Sequence, residues 1–409
     1  MDIFGTLMRR ESLFLNREVL RPSYIPDVLP HREREITHLA EIFLPALKGE
    51  QPSNVFIYGK TGTGKTAVVK LVGSKLIEKG RETNHLIDFI YINCEVVDTH
   101  YRLLQNIANQ LINSWKDRIP FTGLPTDEVY LRLREIMDEK KRVAIIVLDE
   151  IDKLKGDEAL YTLSRMNGDL SNAKVSLVGI SNDLKFTEFL DPRVKSSLGE
   201  ENMVFYPYNA QELRDILEQR AKAALKPGVL SDSVIPLCAA LAAREHGDAR
   251  RALDLLRIAA ELAERENAKK VTDRHVRKAM HKIELDHIAE VVKTLPLHSK
   301  ILLLAILREE KKRKSMGMNL SLTTGEVYDT YCNMCKKMSI EPLTQRRVGD
   351  LISELDMLGI ITARVISKGR YGRTREIRLS SSAEIQRILQ NDSSLRPLLL
   401  YRGEQMKLI

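Results

Sequence analysis

The octapeptide Gly59-Lys60-Thr61-Gly62-Thr63-Gly64-Lys65-Thr66 constrains this chain more than any other stretch. It fits GxxxxGK[ST] in full. The apolar run NVFIYG leads into it, and Lys65–Lys79 reads as a helix behind it. A strand that turns through glycines into a helix gathers backbone N–H groups at the helix's positive end. That is where a polyphosphate is held. Lys65 would supply charge to the β- and γ-phosphates of a nucleotide, and Thr66 would offer its hydroxyl to Mg²⁺.

Further apolar, β-branched runs follow: DFIYINC, RVAIIVLD and KVSLVGIS, with a second helix expected over Thr99–Ser114. Buried strands separated by helices predict a parallel sheet covered on both faces. Asp149 ends RVAIIVLD at the edge of the sheet where phosphates must lie, so it is the candidate to hold hydrated Mg²⁺. Glu150 is placed to orient and polarise an attacking water. Asp152 could merely cap the next helix and is assigned no chemical role. Asn182 ends the next strand; its amide could sense the γ-phosphate, or Ser181-Asn182-Asp183 could simply form a turn.

From Ala210 to about Lys282 the strand signal stops. Apolar residues at three- and four-residue spacing predict a small helical domain. Within it GDARRAL offers Arg250 or Arg251 at a helix start, from where an arginine could reach back to the γ-phosphate and couple domain angle to nucleotide state. A third unit begins near Leu295. Three helical segments precede IITARVISKGRYGRTREIRLS, which reads as two strands around a glycine-rich turn. Three helices and a hairpin make a winged helix-turn-helix. Charge supports this reading. Residues 290–409 carry 21 lysines and arginines against 13 acids, while the rest of the chain holds equal numbers, so the whole net +8 lies there. A polyanion partner fits that asymmetry.

Other classes find no support. No apolar run reaches membrane-spanning length, and MDIFGTLMRRESLF lacks a signal-peptide core, so a cytoplasmic protein is expected. Of the four cysteines, Cys332 and Cys335 form CNMC. It has zinc-like spacing, but no second pair exists, and the segment reads as helix.

Taken in order, GKTGTGKT, VLDEID, GISND, DPRVKSSL and GDARRAL followed by a winged helix resemble AAA+ ATPases of the initiator group. The similarity is to archaeal replication initiators related to the eukaryotic origin recognition complex and cell division control proteins. It covers nearly the whole chain. It implies an α/β AAA+ domain over 23–208 after an arm at 1–22, an all-α lid over 209–289 and a winged-helix domain over 290–409. It implies ATP/ADP and Mg²⁺ as cofactors, with slow hydrolysis serving a conformational switch.

YIPDVLPHREREI is where such proteins build the adenine pocket, which makes Tyr24, Pro26 and Arg32 candidates. By motif, Arg250 would be the second sensor ahead of Arg251, and Arg193 the finger that completes a neighbour's site. Ser197 stands where relatives often carry a further arginine, which argues against hydrolysis in a tight ring. The insertion INSWKDRIPFTGLPTDEVYLRL corresponds to an added helical element that contacts DNA, with Phe121, Thr122, Gly123, Leu124 and Pro125 at its tip. An ordinary connector is the alternative.

A winged helix inserts its third helix into the major groove and lays its wing on a minor groove or phosphates. Thr344, Gln345, Arg346 and Arg347 open that helix. In the wing, Gly369 and Gly372 allow the turn, Lys368, Arg370 and Arg373 suit phosphates or a narrow minor groove, and Tyr371 suits a sugar or base step. The implied partners are double-stranded origin DNA, the replicative minichromosome maintenance helicase and initiator paralogues, with work at the nucleoid and no membrane. The rival readings are a winged-helix signalling ATPase that regulates transcription and a clamp-loader-like assembly ATPase.

Overall fold

A computed structural model of the chain describes residues 11–188, 190–198, 201–318, 321–367 and 373–400. It divides into two compact units, Met1–Ala279 and Met280–Ile409. None of the described helices is long and apolar enough to cross a membrane.

The first unit opens with α1 (Glu33–Phe43), whose Leu39 and Phe43 face inward. Then come β1 (Val55–Gly59), α2 (Lys65–Glu82), β2 (Ile87–Asn93), α3 (His100–Leu111), α4 (Thr126–Lys140), β3 (Val143–Asp149), α5 (Glu158–Asp169), β4 (Lys174–Ser181), α6 (Pro192–Leu198) and β5 (Glu201–Phe205). The strands form one parallel sheet in the order β2-β3-β4-β1-β5. Alternation along the strands feeds two cores. Phe56, Ile90, Ile146 and Leu177 pack on one face with α3, α4 and α5. Ile57, Ile145, Val178 and Phe205 pack on the other with α1 and α2.

Crossover connections in a parallel sheet bring every strand's C-terminal end to one edge, and the nucleotide candidates gather there. The fifth strand was not visible in the sequence. It is an edge strand whose Asn202 and Val204 face outward, and its polar Glu201 and Asn202 leave no long apolar run. The second helix also ends sooner than expected, at Leu111, where the chain enters the insertion.

Three further helices follow in this unit: α7 (Ala210–Ala224), α8 (Val234–Arg244) and α9 (Ala249–Arg265). Asn209 starts α7 with a capping box to Glu212. The residues before α1 are stitched to these helices. Leu15 N–H donates to Ala224 O at 2.8 Å and Lys226 N–H to Leu13 O at 3.0 Å. The buried Arg220 of α7 donates to Val19 O at 3.1 Å and Tyr24 O at 2.9 Å.

The unit boundary falls inside α10 (Asp273–Thr294). The second unit continues with α11 (Leu297–Ser315), β6 (Leu322–Thr323), α12 (Thr324–Lys337), α13 (Gln345–Met357), β7 (Ile361–Ser367), β8 (Arg373–Leu379), α14 (Ser382–Gln390) and α15 (Arg396–Leu400). Its sheet is antiparallel in the order β6-β8-β7. This is the expected three-helix winged unit, extended by β6 and two C-terminal helices. Two residues are too few for a sequence-level strand signal, and Ile385 and Leu389 of α14 add to the core. Cys335 is buried in that core on α12, and no cluster of three metal-ligating side chains occurs among the described residues.

Candidate functional site

The loop between β1 and α2 depends on two glycines for its shape. Gly62 has φ +74°, and a Cβ there would overlap the Asp248 carboxylate at 1.7 Å. Gly64 has φ +92°, and its Cβ would sit 2.7 Å from the Tyr208 hydroxyl. Any side chain at either position would displace a neighbour. Asp248 also caps α9, accepting from Arg250 N at 2.7 Å, while Ala249 N–H donates to Gly62 O at 3.1 Å. The start of α9 is therefore docked on the loop itself.

Thr61, Gly62, Thr63, Gly64, Lys65 and Thr66 line a cavity of about 470 Å³ together with Asp149, Glu150, Asn182 and Arg250. Tyr24 and Pro26 close its far side beside Ile216 and Leu253. Lys65 Nζ donates to Gly59 O at 2.7 Å, Lys60 O at 2.8 Å and Asn182 Oδ1 at 2.9 Å. Burial lowers its pKa from 10.5 to about 8, against the opposing pull of Asp149.

Asp149 is buried. Its Oδ2 accepts from Thr66 Oγ1 at 2.7 Å and from Tyr91 OH at 2.6 Å, and its Oδ1 from Glu150 N at 3.0 Å. A carboxylate beside a hydroxyl at a helix N-terminus is an all-oxygen donor set, which fits Mg²⁺ completed by phosphate and water. Glu150 sits at φ +55°, which turns the chain off β3 toward the cavity. Burial, then the nearby Glu95 and Asp149 charges, raise its pKa.

Gly59 and Lys60 begin the loop but do not line the cavity, and three further candidates, all arginines, lie elsewhere. Arg32 is absent from the cavity wall. It is buried behind the loop, donating from Nε to Thr63 O at 3.0 Å and from Nη2 to Tyr206 O at 2.7 Å. Its guanidinium carbon lies 4.0 Å from the Tyr208 ring centroid. Arg251, the other arginine of GDARRAL, turns to Glu245 at 2.8 Å. Arg193 lies on α6, away from the cavity, in a bidentate pair with Asp191 at 3.2 and 3.0 Å.

Sequence reasoning missed Tyr91 and the hydrogen bonds that Asp152 makes. Tyr91 read only as an apolar strand residue. Asp152 is no mere helix cap, because its Oδ1 accepts from Ser181 Oγ at 2.9 Å and from Asn182 N at 3.3 Å.

In the insertion, Phe121 is 79% exposed and Gly123 has open space around it at φ +106°. Leu124 instead packs partly buried against the α/β core, which takes it off the outer tip. Trp115 is 78% exposed on the same insertion, with Arg118 4.9 Å from its ring centroid. In the second unit Thr344 caps α13, and Thr344, Gln345, Arg346 and Arg347 are all exposed. Arg375 of β8 donates to Gly349 O at 2.6 Å and Ser353 Oγ at 2.7 Å, tying the wing strands to that helix. Lys368, Gly369, Arg370, Tyr371 and Gly372 lie outside the described residues, and Arg373 opens β8.

Comparison with known proteins agrees with this architecture. Residues 48–186 match the AAA domain, residues 214–281 the Cdc6 AAA+ ATPase-type lid domain, and residues 290–387 the CDC6 C-terminal winged helix domain. The chain is 57% identical over 414 residues to an ORC1-type DNA replication protein of Pyrococcus furiosus, covering all of this chain and 97% of that one. It is 58% identical over 402 residues to that of Thermococcus kodakarensis, covering 97% and 96%. Among solved structures, the Aeropyrum pernix ORC1 protein in complex with DNA matches with TM-score 0.78 and 49% identity, over 95% of this chain and 100% of that chain.

Proposed function

The chain belongs to the family of ORC1-type DNA replication proteins, and from that premise we propose that it is an ATP-regulated initiator. In this reading it binds origin DNA in the cytoplasm, at the nucleoid, and helps bring the replicative minichromosome maintenance helicase there. The observation that carries the nucleotide half is the convergence of the phosphate loop, Asp149, Glu150, Asn182 and Arg250 on one cavity. The DNA half rests on the exposed start of α13, the basic second unit and the DNA complex of the Aeropyrum pernix relative. The helicase rests on the family resemblance.

In this proposal the loop N–H groups and Lys65 hold the phosphates, and Lys65 gives up its contact with Asn182 to do so. Thr66 and Asp149 would hold Mg²⁺, which supplies charge neutralisation at the phosphates. Glu150 orients the attacking water and accepts its proton, and Asn182 contacts that water and the γ-phosphate. Arg250 reports γ-phosphate loss to the lid, because its helix already abuts Gly62. Arg193 must leave Asp191 before it can reach a second protomer. Hydrolysis is therefore slow in the lone chain, and the nucleotide acts as a switch. Arg346, Arg347 and the wing grip one stretch of duplex, and the Phe121 tip a second, bending or underwinding it.

Chromosome-wide occupancy in the source organism tests the reading. A few sharp peaks at replication starts are expected. Peaks spread over promoters would transfer the argument to the signalling ATPase, and absence from DNA to the assembly ATPase.

A further inference from the structure

We propose that Tyr91 is a positioning residue of the nucleotide site, its hydroxyl fixing the Asp149 carboxylate in the orientation from which it takes up Mg²⁺ with the nucleotide. The inference rests on the ATP-site reading above and extends it to a residue outside every phosphate-loop or carboxylate motif.

Tyr91 lies two residues before the end of β2, which runs in register with β3 so that Asn93 faces Asp149. Its side chain joins Phe89 on the α2 side of the sheet. There the hydroxyl donates 2.6 Å to Asp149 Oδ2, and Lys70 Nζ lies 3.8 Å from the ring centroid. Lys70 follows Thr66 by one helical turn, so both side chains approach from the same face of α2. A cation over the ring draws electron density from the phenol and strengthens its donor end.

The two hydroxyls on Oδ2 are not equivalent. Thr66 rides on the phosphate loop and must also present a lone pair to the ion. Tyr91 is anchored in the sheet, so its hydrogen bond is independent of what the loop holds. Partners that orient a metal-binding carboxylate in this way affect metal affinity without touching the metal.

Tyr91→Phe removes one oxygen and keeps the ring under Lys70. The test uses the full chain, stripped of metal, with a fluorescent ATP analogue as probe and Mg²⁺ as titrant. Mn²⁺ binding is followed by electron paramagnetic resonance. The variant is expected to bind the analogue as the parent does in excess chelator, while its half-saturating Mg²⁺ rises about tenfold or more. Combined with Asp149→Asn, it adds no further change, because the carboxylate it orients is already gone.

Unchanged Mg²⁺ half-saturation would overturn the proposal while leaving the ATP site intact. So would an equal loss of analogue binding in chelator accompanied by a lower melting temperature, which assigns Tyr91 to packing. Parental analogue binding that ignores Mg²⁺ would likewise overturn this proposal alone, whereas a parental protein that binds the analogue neither with Mg²⁺ nor in chelator would sink the ATP-site reading and this inference with it.

Discussion

Asp152 accepts a hydrogen bond from the Ser181 hydroxyl at 2.9 Å, which ties the turn after β3 to the last residue of β4. The same carboxylate oxygen takes the Asn182 N–H, so the proposed sensor Asn182 is held from its backbone while its side chain meets Lys65. Asp152→Ala should free that amide without disturbing the phosphate loop. Equilibrium ATP binding should stay within about twofold, while kcat falls about tenfold, one charge-assisted hydrogen bond's worth. Equal losses in both would show that Asp152 supports the whole site instead.

Arg32 offers a second test, because it holds the loop from behind. Its guanidinium donates to Thr63 O, Tyr206 O, His31 O and Glu35 Oε1. Alanine would leave the buried Thr63 carbonyl and the part-buried Tyr206 carbonyl without their donor and should cost about 2 kcal/mol of stability. Lysine keeps the charge but cannot span those acceptors, so it should recover less than half. Chemical denaturation measures the first effect, and nucleotide affinity should fall in the same order. A variant with parental stability and weakened ATP binding would instead return Arg32 to direct ligand contact.

The pH dependence follows from Lys65, whose pKa falls from 10.5 to about 8 through burial. Between those values the unfolded chain holds the proton and the native chain does not, so this group makes stability rise with pH across that window. Nucleotide binding has the opposite sign. Phosphates favour the charged amine and raise its pKa, so affinity should fall as pH climbs past about 8. Calorimetry at about pH 8.5, in buffers of different ionisation enthalpy, should register proton uptake that is missing at about pH 6.5 and in Lys65→Ala. Identical heats in all buffers would refute it.

The legible parts of this molecule were those whose function demands a fixed local pattern. The glycines of the loop need positive φ, Asp149 must end a buried strand, and Thr344 must cap a helix, so each leaves a mark in sequence. What stayed hidden was long-range. Arg32 and Thr63 are thirty-one residues apart, and Tyr91 meets Asp149 only because β2 and β3 pair in one register. Leu124 illustrates the converse, since exposure at a loop tip cannot be told from anchoring until the core beneath is known.

Two adjacent arginines on α13 provide the last test, because their surroundings differ. Both are exposed at the start of the helix that would enter the major groove. Arg347 reaches toward Asp350 at 3.7 Å, one turn along its own helix, which draws it toward the helix flank. Arg346 has no such pull from that carboxylate and is the better placed of the two to reach a base edge. Arg346→Ala should therefore reduce the preference for origin over random DNA, by about 1–3 kcal/mol if it makes a bidentate base contact. Arg347→Ala should weaken both kinds of DNA alike and lower the salt slope by about one unit, as a phosphate contact does. Competition binding with origin and scrambled duplexes at several salt concentrations separates the two effects. If both variants lose affinity uniformly, α13 sits on the backbone, and sequence preference must come from the wing or from DNA deformation.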